Sequence, residues 1–401
     1  MNAADTAFVL MCSALVMFMT PGLALFYGGM VRNKNVLGTI MQSFILLGLV
    51  SILWAVVAYS LAFGGDIGGL IGNLDFAFLD GVGMDTVNSP ADNLPHLAFM
   101  AFQCMFAVIT PALITGAFAE RMKFSAFMVF SALWLILVYS PMAHWVWGGG
   151  WMQKMGALDF AGGAVVHMSS AAAALAAVLV IGKRDGYGKT AFIPHNLPMT
   201  ILGAGILWFG WFGFNAGSAL HADGIAANAF VTTHLAAAAA ALTWLIGEKM
   251  YAGHATTLGA ASGAVAGLVA ITPAAGFVTP MPAIIIGAVG GLLCYSGVVL
   301  KSKFGYDDAL DVVGVHGVGG TWGALATGLF ASIGETKGLF YGNPSQLWIQ
   351  AVSVLATWAF CFTASYILFK IVNATIGLRL PQEDESKGMD LALHSEAGYQ
   401  Y

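Results

Sequence analysis

The stretch Asp159-Phe160-Ala161-Gly162-Gly163-Ala164-Val165-Val166-His167 opens a run of Ala, Val and Leu that continues to Ile181. A helix of about 20 apolar residues crosses the hydrocarbon core of a bilayer, and this one carries a histidine within it. Asp311-Val312-Val313-Gly314-Val315-His316-Gly317 repeats the arrangement far downstream. An ionisable side chain at membrane depth is costly, so such residues face a protein interior or a pathway. The two histidines therefore point to a membrane fold and to a route through it.

Composition supports the first inference. Hydrophobic residues make up 59% of the chain and charged residues 9%, against roughly 25% charged in an ordinary globular protein. So few charges cannot cover a large water-facing surface. A β-barrel would instead read as alternating segments of about 10 residues, so the chain is a polytopic α-helical protein surrounded by membrane lipid. The net charge of −5, with no basic patch, speaks against a nucleic-acid partner. Cys12, Cys104, Cys294 and Cys361 sit in apolar runs without CxxC spacing and read as small core residues.

Eleven apolar segments emerge, at 5–30, 36–63, 97–119, 124–145, 162–182, 196–219, 226–247, 256–276, 281–300, 312–331 and 347–373. The first has no basic n-region ahead of it, so it reads as a membrane helix rather than a cleaved signal. An odd number of spans leaves the two ends on opposite sides. With the amino end outside, the inner connections hold Arg32, Lys34, Arg121, Lys123, Lys183, Arg184, Lys189, Lys249, Lys301 and Lys303, and Lys370, Arg379 and Lys387 follow at the last helix or beyond it. Of the fifteen basic residues only Lys154 and Lys337 remain outside. That asymmetry predicts an amino end outside and a cytoplasmic carboxyl end in the inner or plasma membrane of the cell.

Five helices followed by five more face opposite ways. His167 falls in the fifth and His316 in the tenth, the layout of an inverted repeat with a pathway near mid-membrane. The predicted fold is all-α: eleven transmembrane helices, a 5+5 inverted repeat and a final helix, with residues 1–375 as the membrane domain and 376–401 as a cytoplasmic tail. Gly259, Gly263 and Gly267 recur every fourth residue, a small-residue face that lets helices approach closely. The longest outer connection, Gly64 to His96, holds Asp66, Asp75, Asp80, Asp85 and Asp92 and no Lys or Arg. It would attract cations weakly, though a plain hydrated loop is the simpler reading.

Of the nine histidines, only His167 and His316 lie well inside spans; His144 and His234 are nearer the ends or less distinctive. A lone buried histidine is usually a satisfied core residue, but a matched pair in two halves favours a pathway. Neutral imidazole donates from one nitrogen and accepts on the other, so two rings can share a hydrogen bond. A metal would want three or four ligands, and no third is near, so neither metal nor cofactor is expected. Aromatic rings gather towards the outer side: Phe102 and Phe106 one helical turn apart, Trp147 just past the fourth span, and Trp211, Phe212 and Phe214 before Ser218. Ring faces attract cations, and a serine hydroxyl accepts from a cation that carries N–H groups. Any one ring alone would pass for an interfacial anchor.

Thr20-Pro21-Gly22-Leu23-Ala24-Leu25-Phe26-Tyr27-Gly28-Gly29, Asp159-Phe160-Ala161-Gly162-Gly163, Gly210-Trp211-Phe212-Gly213-Phe214-Asn215-Ala216-Gly217-Ser218 and Gly314-Val315-His316-Gly317 together resemble the ammonium transporter (Amt) branch of the Amt/Mep/Rh family, in order and over nearly the whole chain. The resemblance implies that His167 and His316 are twin histidines sharing a hydrogen bond in a narrow apolar pore. It implies that Phe106 and Phe214 close that pore from outside, and that Phe106, Trp147 and Ser218, with Phe102 beside them, recruit an ammonium ion. Trp211 and Thr272 match further pore positions, and Asp159 a buried acid held to be structural or cation-stabilising. A homotrimer with one pore per subunit, and a PII-type signalling protein at the cytoplasmic face, are also implied.

Physical reasoning agrees with most of this. Ammonium and potassium have similar size and equal charge, so removing a proton on entry would separate them, since potassium has none to give. An apolar constriction then rejects intact ions through their desolvation cost, and passage with net charge movement is the favoured form. The tail is polar enough to pass for disorder, but Gly377-Leu378-Arg379-Leu380-Pro381 and His394-Ser395-Glu396-Ala397-Gly398-Tyr399 resemble the family's ordered tail. The chief rival reading is an ammonium receptor that signals through cytoplasmic partners and passes little. A membrane enzyme would need a nucleophile or third ligand, and a Rh-like gas pore would lack the outer aromatic set.

Overall fold

Apolar length dictates most of the architecture. In a computed structural model describing residues 1–399, eleven helical segments cross the bundle: α1 (Ala3–Met30), α2 (Asn33–Phe63), α3 (His96–Ile114), α4 (124–147), α5 (Gly163–Ile181), α6 (Leu197–Gly217), α7 (Gly224–Ala252), α8 (Thr257–Ile271), α9 (Pro280–Phe304), α10 (313–330) and α11 (Pro344–Thr375). Caps start several of them. Asn2, Asn196, Asp223 and Thr256 each accept a backbone N–H from the first turn of the helix that follows.

The internal repeat appears in the way corresponding helices are built. α1 packs along the length of α6, the first helices of the two halves. α3 and α8 both stop short of the predicted 119 and 276 and continue as tight turns, with Thr115 bonded to Ala112 and Ala274 to Ile271. In α8 the cause is Pro273, which has no N–H to continue the ladder. α5 and α10 both open on a π turn, Gly163–Met168 and Val313–Gly317, and each π turn carries one of the two histidines. Because α5 and α10 lie five crossings apart, the two turns enter the bundle from opposite faces.

α3 and α5 are the most enclosed helices, while α2 and α9 keep broad apolar faces on the outside. The small-residue face of α8 lies where the sequence predicts. A Cβ at Gly263 would stand 2.6 Å from the Cβ of Trp244, and one at Gly267 would stand 2.5 Å from the Ala236 carbonyl oxygen, both on α7.

The loop at 64–96 is more than a hydrated linker. It contains a short antiparallel hairpin, β1 (Asp66–Ile67) with β2 (Ile71–Gly72), the one sheet among the described residues. On the face with basic loops, several of the charges counted for topology are buried and paired. Arg184 grips Asp307 through Nε and Nη2 (2.9 and 2.8 Å), and Arg121 donates to the Asp307 carbonyl (2.6 Å). Arg32 and Glu120 form a second forked pair, and Arg32 and Arg184 both lie over the Phe192 ring. The tail crosses this face as α12 (Gln382–Lys387) and α13 (Met389–His394), with Asp390 accepting from the amides of Leu37 and Gly38. The predicted tail end at 400–401 lies outside the described residues.

Candidate functional site

Three cavities lie in line through the bundle. The first, about 230 Å³, opens on the face with acidic loops and is lined by Phe99, Gln103, Phe106, Trp147, Gln153, Phe160 and Ser218 among others. The second is only about 10 Å³ and is walled by Val166, His167, Leu207, Trp211, Phe214, Val265 and His316. The third, about 60 Å³, lies towards the basic face against Phe26, Tyr27, Ser262, Asp311 and His316. A site needs about 10–15 Å³ to hold one water, so the middle cavity has room for a single small molecule and no hydration shell.

Between the first and second cavities Phe106 and Phe214 stack, with ring centroids 4.2 Å apart and planes at 30°. Trp147 meets the edge of Phe106 at 5.9 Å, and its indole Nε1 donates to the Asp159 carbonyl at 2.9 Å. The Ser218 hydroxyl donates to the Phe214 carbonyl at 2.8 Å, which leaves its lone pairs free to accept. The structure thus brings Phe106, Trp147 and Ser218 to one vestibule.

Phe102 is placed differently. It is buried behind Phe106, with centroids 5.0 Å apart, and packs against Gly217 rather than into the vestibule. At 100° per residue Phe99 and Gln103 fall on one side of Phe106 and Phe102 on the other. The stripe Phe99-Gln103-Phe106 is the face presented. Its spacing of four and three was readable, but a glutamine among phenylalanines draws no attention.

Deeper in, the Nδ1 atoms of His167 and His316 lie 3.2 Å apart, with near-parallel rings, and both side chains are buried. Thr272 holds the other side of His167. Its hydroxyl donates to the Leu268 carbonyl (2.7 Å), accepts from Trp211 Nε1 (2.9 Å), and stands 3.4 Å from His167 Nε2. With that proton committed to Leu268, the hydroxyl oxygen is an acceptor for His167. This arrangement assigns the tautomers: His167 is protonated on Nε2, and its Nδ1 accepts from His316 Nδ1–H. His316 Nε2 is left as the unprotonated nitrogen, on a residue that lines both the middle cavity and the cavity of the basic face.

Asp159 lies behind this arrangement. Its carboxylate accepts from the amides of Gly162 (2.9 Å), Gly163 (2.5 Å), Ala164 (2.8 Å) and Val165 (3.3 Å). It caps the open start of α5 and its π turn, where the unpaired N–H groups favour negative charge. Gly162, at φ +115°, makes the turn that aims those amides at it.

A multi-pass helical bundle enclosing a narrow, largely apolar constriction between two mouths is the design of a membrane transport protein. The family described as the Ammonium Transporter Family matches residues 7–399. A protein called ammonium transporter in Bacillus subtilis is 55% identical over all of this chain and 99% of its own length. The crystal structure of Saccharomyces cerevisiae Mep2 superimposes with a TM-score of 0.92 at 35% identity, covering 100% of this chain and 93% of that one. A structure named Sensor Amt Protein gives a TM-score of 0.90 at 29% identity, with 98% of both chains covered. The chain belongs to the Ammonium Transporter Family and is a transporter rather than an enzyme.

Proposed function

We propose that this protein carries ammonium across the cell membrane by separating the ion into ammonia and a proton. The observation that carries the reading is the cavity of about 10 Å³ holding both histidines between two roomier mouths. An ammonium ion enters the vestibule, where the Phe106 and Trp147 rings offer cation–π attraction and Ser218 accepts an N–H. A desolvated cation cannot continue at tolerable cost, so the ion yields its proton in the vestibule. Neutral ammonia then slips past the Phe106–Phe214 stack into the constriction lined by Trp211, Thr272, His167 and His316.

The released proton follows through the imidazole pair. Inward transfer starts from the opposite tautomer pair: His167 Nε2 takes up the proton, and His167 Nδ1–H crosses the 3.2 Å contact to His316 Nδ1. His316 Nε2–H gives its proton to ammonia in the cavity on the basic face, which leaves the tautomers assigned above until both rings reset. One positive charge crosses per ammonium, and potassium is refused because it has no proton to leave behind. Asp159 supports the start of α5, and its negative charge favours cations nearby.

The basic loops support an amino end outside and a carboxyl tail in the cytoplasm. Family membership supports a homotrimer, and a PII-type signalling protein that docks on the cytoplasmic face. The likeness to a structure named as a sensor supports the rival, a receptor that passes little. Current across solid-supported membranes loaded with purified protein separates the two. A jump in ammonium evokes current and an equal jump in potassium none. Absence of any ammonium current, with a pH dye inside vesicles also silent, would overturn transport in favour of sensing.

A further inference from the structure

The transport reading leaves unused a charged cluster behind the turn that carries Trp147. His144 lies three residues before Trp147 on α4 and is fully buried. Its Nδ1 is 3.0 Å from the Ala62 carbonyl oxygen, and its Nε2 is 2.9 Å from Asp66 Oδ1. Both partners accept. The carbonyl has no proton, and Lys154 Nζ, 2.5 Å from Asp66 Oδ2, favours the carboxylate. Those two hydrogen bonds, from Lys154 and then His144, hold the Asp66 carboxyl down at about 2. A neutral imidazole has one N–H and satisfies one acceptor; two acceptors require the imidazolium.

The same hairpin is sewn to the Trp147 turn at further points. Trp145 Nε1 donates to the Leu70 carbonyl at 2.8 Å, and the Trp151 amide donates to Gly69 at 3.0 Å. Gly148 lies so close to the Ala62 carbonyl that a Cβ there would collide with it. Trp147 is held by its bond to Asp159, its edge contact with Phe106 and packing beside Gly162, and this bracing fixes the helix end from which the ring projects. Asp66 and Lys154 are the charged side chains that face His144. Asp159 turns its carboxylate to the amides of 162–165, and His167, on the π turn packed beside α4, turns to the constriction.

We infer that His144 is a positioning residue for the outer cation site: as an imidazolium it ties the Ala62 carbonyl and the Asp66 hairpin to the helix end that presents Trp147. The inference rests on the role proposed above for Trp147. Losing either bond frees the helix end from the hairpin and lets the Trp147 ring shift against Phe106, so affinity for ammonium falls.

The test is the apparent KM for ammonium-driven transport in proteoliposomes at one fixed pH, read beside the saturating rate. His144→Gln shows a KM raised several-fold, with the change falling on KM far more than on the saturating rate. Asp66→Ala, on the partly exposed hairpin, removes the acceptor for His144 Nε2, behaves alike and carries the test where the buried variant fails to fold. A wild-type KM in either variant, or a loss confined to the saturating rate, would overturn the inference. Trp147→Leu is the reference: a raised KM there with H144Q and D66A like wild type defeats the positioning role alone, whereas an unmoved KM defeats the site reading and the inference with it.

Discussion

Replacing Thr272 by valine removes one hydroxyl from a place where three groups depend on it. Trp211 Nε1 loses its acceptor, the Leu268 carbonyl its extra donor, and His167 Nε2 its partner. A buried N–H left without an acceptor costs about 1–3 kcal/mol, so the thermal unfolding midpoint should drop by several degrees. The His167 contact at 3.4 Å is long, and its loss removes under about 1 kcal/mol of preference for the Nε2–H tautomer. At 1.4 kcal/mol per tenfold, that lowers the conducting arrangement by up to about fivefold. The vestibule is untouched, so KM should hold while the saturating ammonium current falls. Thr272→Ser retains the hydroxyl and should restore current and most of the stability. T272V with wild-type current, or T272S as damaged as T272V, would refute the assignment of the hydroxyl as the group that orients His167.

Other expectations follow from the same contacts. His167→Ala should disturb conduction and selectivity far more than folding, because it widens a constriction whose refusal of ions depends on having no room for hydration; a potassium jump should then evoke current, and unchanged transport sinks the pore role. Trp147→Leu removes the cation–π attraction of about 0.5–2 kcal/mol and should raise KM roughly two- to thirtyfold in the same current assay. Asp307→Ala leaves Arg184 with its longer Glu120 contact (3.4 Å) and Arg121 with less compensation in a buried setting; such a broken pair costs about 3–5 kcal/mol, so little monodisperse protein should be recovered after detergent extraction. Burial works to raise the Asp307 carboxyl, but Arg184 and Arg121 outweigh it and hold it below its usual range; burial likewise opposes Arg32 and Arg184 at Glu120 and is outweighed. Folded-state values below the unfolded ones mean stabilisation that is present above the ordinary carboxylate range and lost as pH falls through the depressed values. The unfolding midpoint should therefore stay level down to the ordinary carboxylate range and drop only in stronger acid, and an earlier drop in wild type than in D307N would contradict it.

Much of this site was legible because its residues sit in runs whose chemistry stands out. A histidine inside Ala-Gly-Gly-Ala-Val-Val is visible against apolar neighbours, and its second occurrence at His316 makes a pair. What escaped reading lies in contacts across long sequence distances. His144 and Asp66 are 78 residues apart, and Arg184 and Asp307 are 123 apart. In the sequence each appears as an ordinary loop or helix-end charge, and the basic ones count simply towards topology. Phe102 misled for a different reason: two rings one turn apart share a helix face only to within about 40°. The glutamine at 103 proved to face the vestibule, where the phenylalanine did not.

The buried pairs also explain how the tail comes to be tied to the pore. Arg379 grips Glu385 through Nε and Nη2 (3.0 and 2.8 Å), and Glu385 accepts from the Asp185 amide just past the end of α5. Lys34 donates to the Glu385 and Ser386 carbonyls, Asn35 accepts from the Met389 amide, and Asp390 caps the chain at Leu37 and Gly38. The tail therefore clamps the connection from α1 to α2 together with the connection from α5 to α6. α1 supplies Phe26 and Tyr27 to the cavity below His316, and α5 supplies His167 to the constriction above it. A protein docking on this face would therefore meet the tail where charge-assisted bonds join it to the connections that follow α1 and α5, the helices that supply those lining residues.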